Sequence, residues 1–259
     1  MTKTSARPKR VLITGGTKGI GLEIVRAFSA AGDQVLTTSR KLSEEQQANL
    51  VALGVHHLAS DVRDAESVEQ LFKNAEHRLG GLDVVIHNAG GSPFAFHDQA
   101  SPRFIEGVLR LNLLAPMLVA QSAYRAFVRS ESKGVLVLIG SVAACRPSPG
   151  TAVYGAAKAG VLHLAQSLAV EWGDRARVVC VSPGLIETEQ AELHYGNRDG
   201  VTAVEATIPA GRMGTPLDVA KACLFAASSD ADYWSGTNLL LHGGGEWPAF
   251  LTALNTPKP

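Results

Sequence analysis

Tyr154 and Lys158 stand four residues apart in a stretch of helical period, so both side chains project from one face into the same space. A free phenol has a pKa of about 10, too high for efficient proton exchange near neutrality, and a neighbouring ammonium would stabilise the phenolate and lower it. The pair can therefore carry acid–base chemistry, with Tyr154 as the general acid or base. Ser141 lies 13 positions upstream at the end of an apolar run, where its hydroxyl could bind a carbonyl oxygen while Tyr154 moves the proton. Tyrosine and lysine at this spacing also occur on ordinary helix surfaces, so the pair needs support from the rest of the chain. Asn112 interrupts the apolar sequence VLRLNLLAPMLVA, where a buried amide needs partners or costs roughly 1–3 kcal/mol; its role could be structural only.

A second group of residues has the pattern of a nucleotide cradle. TGGTKGIG, Thr14 to Gly21, sits between a strand-like run and a helical one, where glycines permit a tight turn and leave room for phosphate against helical N–H groups. Its spacing is GxxxGxG and not GxGxxG, and a glycine-rich turn alone is also a common structural device. The next strand ends in Ser39 and Arg40, with no carboxylate to accept ribose hydroxyls or repel a 2′-phosphate. Arg40 could form paired charge-assisted bonds to such a phosphate, and Lys18 could add a second positive charge, which favours NADP(H) over NAD(H). Asp61 could accept from an adenine amino group or cap local backbone. Asn88, Ala89 and Gly90 are small enough for close backbone approach to a ribose, or simply form a turn. Pro183, Gly184, Ile186 and Thr188 offer a sharp turn and a hydroxyl that could position an amide-bearing nicotinamide.

Composition narrows the field. With 259 residues and 46% hydrophobic content, one large core and one domain are expected. Basic and acidic residues both number 24, so no global field draws the chain to nucleic acid or an anionic membrane, and a small or neutral partner is expected. Cys145, Cys180 and Cys223 form neither a CxxC pair nor a disulfide framework, which fits a reducing cytoplasm. The eight histidines lack HExxH spacing, so no metal is expected. The longest apolar run, Leu113 to Ala120, is broken by Pro116 and falls short of the ~20 residues that span a bilayer. Residues 1–9 read as a flexible arm and 255–259 as a loose tail.

Short runs rich in Val, Ile and Leu alternate with helical segments, the pattern of a parallel sheet covered on both faces. Strands are expected at Arg10–Thr14, Gln34–Ser39, Val55–Ala59, Asp83–His87, Gly134–Ser141, Arg177–Ser182 and Asn238–His242. Helices are expected from about Gly19 to the stop at Gly32, from Ser43 to Leu53, from Asp64 to the Gly80–Gly81 stop, from Pro102 to Arg129 and from Tyr154 to Trp172. A further helix begins at Thr215, Pro216 and Asp218. This is an α/β, Rossmann-type doubly wound seven-stranded parallel sheet. The segment 187–214 mixes helix and turn residues like a lid, with Phe94, Phe96, Leu193 and Tyr195 as apolar contacts for a substrate or as packing under loops. Arg146 could meet an acidic substrate or remain a solvated loop cation.

Taken in order, TGGTKGIG, Asp61, NAG at Asn88–Gly90, Asn112, Ser141, YGAAK at Tyr154–Lys158 and PGLIET at Pro183–Thr188 resemble the short-chain dehydrogenase/reductase family over nearly the whole chain. The resemblance is to its compact main subfamily. It implies an oxidoreductase interconverting a ketone and a secondary alcohol, with Tyr154 as acid/base, Ser141 orienting the substrate oxygen, Lys158 on the nicotinamide ribose and Asn112 holding a relay water. It implies an NADP(H) wall of Gly15, Thr17, Lys18, Gly19, Ile20, Gly21, Ser39, Arg40, Asp61, Val62, Asn88, Ala89 and Gly90. Tyr154, Lys158, Pro183, Gly184, Ile186 and Thr188 complete that wall. A homotetramer or homodimer is implied as well. His87, where relatives often carry asparagine, is a minor departure. The rival readings are an NAD-linked alcohol or steroid dehydrogenase and a dinucleotide-binding sensor without turnover.

Overall fold

β-Branched and aliphatic runs bounded by glycine or polar turns form strands that bury both faces when helices cover the sheet. The protein's structure, a computed structural model, describes residues 7–189 and 197–252. Its first half runs β1 (Arg10–Thr14), α1 (Gly19–Ala30), β2 (Gln34–Ser39), α2 (Glu44–Ala52), β3 (His56–Ala59), α3 (Ala65–Leu79) and β4 (Val84–His87). The second runs α4 (Pro102–Leu109), α5 (Ala115–Arg129), β5 (Gly134–Ile139), α6 (Ala152–Trp172), β6 (Ala176–Pro183), α7 (Arg198–Glu205), α8 (Pro216–Ala226), β7 (Thr237–Leu241) and α9 (Ala249–Thr252). All strand pairs are parallel, in the order β3-β2-β1-β4-β5-β6-β7. The chain moves outward from β1 to β3 and returns to the far side of β1 as β4, so a crevice opens where the direction reverses.

One face of the sheet packs Leu12, Val85, Leu136 and Val178 against α3, α5 and α6; the other packs Val11, Ile13, Ile86 and Val179 against α1 and α8. Local signals set most element ends. Ser43 and Gln46 form a reciprocal capping box on α2, and Thr215 and Asp218 form another on α8. Asp64 caps α3, which Gly80 closes in the left-handed conformation.

Four expectations change. The supposed flexible arm is anchored from Arg7 onward: the Arg7 guanidinium donates to both Asp83 oxygens at 2.9 and 2.8 Å, and the Lys9 N–H donates to Asp33. Residues 1–6, and the tail 255–259, lie outside the described residues. The expected long helix is continuous over Pro102–Arg129 but passes through one π turn at Arg110–Leu114. Pro116 explains why, since it has no N–H to give the carbonyl of Asn112 four residues earlier. This 28-residue stretch is also long and apolar enough to cross a membrane by length and composition, where the interrupted run had suggested none. One face of it serves the core, with Val119, Ala123 and Phe127 fully buried against the sheet, while Leu114, Met117 and Val128 are exposed. Pro183 ends β6 itself and does not merely follow it.

Candidate active site

The carboxyl ends of the central strands open on a cleft of about 510 Å³. Every residue of the expected cofactor wall lines it, as does Ser141; Asn112 lies fully buried behind it. The glycine turn fits the space because Gly15 takes a φ of +70° and donates its N–H to the Thr38 carbonyl at 2.7 Å. A Cβ on Gly21 would overlap the Gly15 carbonyl oxygen, so α1 can start this close to β1 only with glycine there. Lys18 precedes α1 in extended conformation, and no side chain from its own turn caps the helix.

Thr14, at the end of β1, organises the exit of β4. Its Oγ1 accepts from the N–H groups of Asn88 and Ala89, both at 3.2 Å, so its own proton points to His87 Nδ1 at 2.9 Å. The hydrogen-bond pattern therefore assigns the His87 proton to Nε2, a buried atom without a partner among the described residues. Burial, with the charge of Lys158 adding to it, holds the His87 pKa down at about 3. The Asn88 amide donates to the Gly15 carbonyl at 3.0 Å and ties the two loops together.

Lys158 is 3% exposed and donates to the Ile139 carbonyl at 2.7 Å; burial lowers its pKa to about 8. Tyr154 and Ser141 line the same cleft, and the Ser141 Oγ accepts from the Ala143 N–H at 3.1 Å. Lys158 Nζ stands 5.6 Å from the Tyr154 ring centroid. Where a lowered phenol pKa was expected, burial raises it, and the neighbouring Ser141 side chain opposes that rise.

Asn112 donates to the carbonyls of Gly91 and Val108 at 2.8 and 3.0 Å and accepts from the Gly91 N–H at 2.8 Å. Both amide protons are used inside the protein, so the side chain stitches the π turn to the β4 exit. A Cβ built on Gly90 would lie 3.0 Å from Asn112 Oδ1 and 3.3 Å from Lys158 Nζ, which locates all three at one point of the wall.

At the other end of the cleft, Ser39 donates its N–H to His57 Nε2 at 3.1 Å and its hydroxyl to the Lys41 carbonyl at 2.8 Å. Asp61 is engaged by the Arg63 guanidinium at 2.6 Å and by the Arg63 N–H at 3.0 Å, and these contacts hold its pKa down at about 2. Its local capping reading is thus the one observed. Arg146 is neutralised by Glu246 at 2.7 Å, so it is neither a free solvated cation nor an open anion receptor. Phe94 and Phe96 stack edge to face at 5.1 Å and stay 65% and 49% exposed, which leaves their faces open to a ligand. Within 187–214, Val201, Ile208 and Met213 form a small core with Leu185. Leu193 and Tyr195 lie outside the described residues.

Sequence reasoning missed Glu189, which lines the cleft and accepts from the Gly19 N–H at 3.2 Å. Its signal was its place directly after Thr188. It also passed over His87 as a minor departure, because the tautomer depends on three strand-end groups that meet only in the fold. An exposed N–H at the turn, two cations and no carboxylate at the end of β2 make the cleft fit a nicotinamide dinucleotide.

Fold and cleft define a Rossmann-type α/β protein with a serine, a tyrosine and a lysine grouped below a nucleotide-sized groove. A family model described as enoyl-(acyl carrier protein) reductase matches residues 15–246. The chain is 35% identical to the 3-oxoacyl-[acyl-carrier-protein] reductase MabA of Mycobacterium tuberculosis, covering 91% of this chain and 92% of that one. It is 33% identical to 3beta-hydroxysteroid dehydrogenase 1 of Eggerthella lenta, covering 91% and 93%. A solved structure of a putative short-chain alcohol dehydrogenase from Sinorhizobium meliloti 1021 superposes with a TM-score of 0.85 at 30% identity, covering 91% and 95%. The chain belongs to the short-chain dehydrogenase/reductase family of oxidoreductases, which use nicotinamide dinucleotides.

Proposed function

We propose that this protein is an NADP(H)-dependent reductase that converts a ketone on a small or medium-sized metabolite to a secondary alcohol. The observation that carries the reading is the grouping of Ser141 and Tyr154 with the buried Lys158 in one cleft that also carries Arg40 and Lys18. Held by the residues of this cleft, NADP(H) would supply the hydride for the carbonyl carbon. Ser141 orients the carbonyl oxygen, and Tyr154 donates the proton to it. The phenol carries the proton that a general acid in the reductive direction must give. Lys158 supplies positive charge beside the ribose position. Asn112 holds the π turn beside Lys158, where a relay water would refill the phenol.

Asp61 pairs with Arg63, and Arg40, which has no ion pair among the described residues, can meet a 2′-phosphate. Names of relatives point the same way, since MabA is named a reductase of a 3-oxoacyl group. We read 187–214 as the substrate lid of a one-domain enzyme, with Phe94 and Phe96 across from it. Exposed Leu114, Met117 and Val128 on or beside α5 and Val170 on α6 support a homotetramer or homodimer paired through these helices. Three free cysteines support a reducing, cytoplasmic setting.

The test is oxidation of NADPH and NADH by the purified protein across a ketone panel, with Arg40→Asp alongside. Turnover with NADPH, and a shift toward NADH in the variant, is expected. A wild-type preference for NADH would overturn the 2′-phosphate reading, and dinucleotide binding without turnover on any ketone would favour a sensor.

A further inference from the structure

The N-terminus of α1 is capped by a residue 170 positions away. Its own N-cap, Lys18, makes no side-chain capping bond, and its first turn holds no acidic residue. The Gly19 N–H instead donates to Glu189 Oε1 at 3.2 Å, and Glu189 Oε2 stands 3.6 Å from where a Gly19 Cβ would be. A helix N-terminus favours an anion, and in a doubly wound sheet the first glycine turn is where a dinucleotide sets its diphosphate. Glu189 also lines the same cleft as Lys18 and Arg40.

We propose that Glu189 is an internal stand-in for the cofactor diphosphate: it caps α1 when the cleft is empty, and the diphosphate must displace it to bind. Glu189 is then a determinant of cofactor affinity, acting at the Gly19 N–H where the diphosphate would sit. Two costs arise on binding. The helix loses its carboxylate cap, and the displaced carboxylate remains close to a dianionic group. Both oppose binding of any ligand carrying a diphosphate, and neither touches a ligand that lacks one. The proposal rests on the cleft being the dinucleotide site, not on the choice between NADP(H) and NAD(H), because both carry the diphosphate.

The experiment titrates wild type, Glu189→Gln and Glu189→Ala with NADPH, NADH and adenosine 2′-monophosphate, and records melting of the ligand-free proteins. Gln keeps the shape and a capping oxygen but removes the charge; Ala removes both. Both variants should bind the dinucleotide that the wild type prefers roughly 3- to 10-fold more tightly, the range expected for one charge at a helix end. Adenosine 2′-monophosphate affinity should stay within about twofold, as it bypasses the glycine turn. Ligand-free Glu189→Ala should melt about 2–4 °C lower, because it has lost a cap. Tighter binding joined to lower apo stability is a pairing that a purely structural glutamate would not produce. Unchanged or weaker dinucleotide binding in both variants, or equal tightening for the monophosphate, overturns the proposal. A wrong reading of the 2′-phosphate would show in the wild type's preference alone, whereas a wrong assignment of Glu189 shows only in the variants.

Discussion

The two ends of the parallel sheet treat charge in opposite ways. At the amino ends of the strands, Asp83 receives the guanidinium groups of Arg7 and Arg10 and the Arg10 N–H, all at 2.8–2.9 Å, and Arg10 also reaches the Gly80 carbonyl. Burial alone would raise that carboxyl, but the arginines override it and hold it well below the usual carboxylate range. At the carboxyl ends, the buried Lys158 donates to the Ile139 carbonyl, and the His87 Nε2 proton is unmatched among the described residues. One end is electrostatically closed and holds strands together. The other keeps polar groups in reserve, which costs stability and leaves them available to a ligand.

Substitutions at the two ends should therefore separate activity from stability. The largest effect is expected for Tyr154→Phe, which should reduce kcat by ~10²- to 10⁴-fold while leaving the dissociation constant of the cofactor nearly unchanged, as steady-state kinetics and a binding titration would show. An active variant would remove Tyr154 as the proton donor.

Lys158 makes its prediction through pH. Its folded pKa of about 8 lies below the ordinary 10.5, so between these values the unfolded chain binds more protons than the native one. Stability should rise with pH across that window by up to ~3 kcal/mol and stay flat below it, as far as this group contributes. Denaturant melts of wild type and Lys158→Met at pH 8 and 10.5 should differ in slope accordingly; identical slopes would mean that the lysine is not desolvated.

Asp83→Asn should cost about 2 kcal/mol, since it leaves two arginines without their carboxylate, and lower Tm by several degrees with kcat unchanged. Because the Asp83 pKa is depressed, its stabilising share is present above the unfolded value and is lost as pH falls toward the folded one, so acid titration should find the variant less pH-sensitive. A loss of kcat in this variant would break the separation of the two ends. The smallest effect belongs to Arg146→Ala: its partly exposed pair with Glu246 joins the loops that follow the carboxyl ends of β5 and β7, and about 0.5 kcal/mol is expected by the same melts.

Much of this was legible in residue order. Apolar runs marked the seven strands to within a residue or two, and Asp64, Gly80 and Thr215 marked helix ends, because caps and strand burial are local or near-local requirements. The grouping of Ser141, Tyr154 and Lys158 was legible from helical spacing and strand-end position. Their electrostatics were not. The phenol pKa depends on burial, and the Lys158 ammonium is held by a carbonyl from β5, neither of which residue order shows. The π turn could have been anticipated from Pro116, yet its coupling to Gly91 through Asn112 needed the return of β4 beside it.

The sequence by itself determined which residues could do chemistry and which strand ends would carry them, since side-chain type and periodicity are written residue by residue. Only the tertiary structure decided which charges are answered and which are left open. Asp83 with Arg7, Arg146 with Glu246 and Gly19 with Glu189 join positions 76, 100 and 170 residues apart, and no local rule reaches that far. Coulomb and desolvation energies depend on distance and burial in the folded chain, which is why the pairings emerge only once the sheet is assembled.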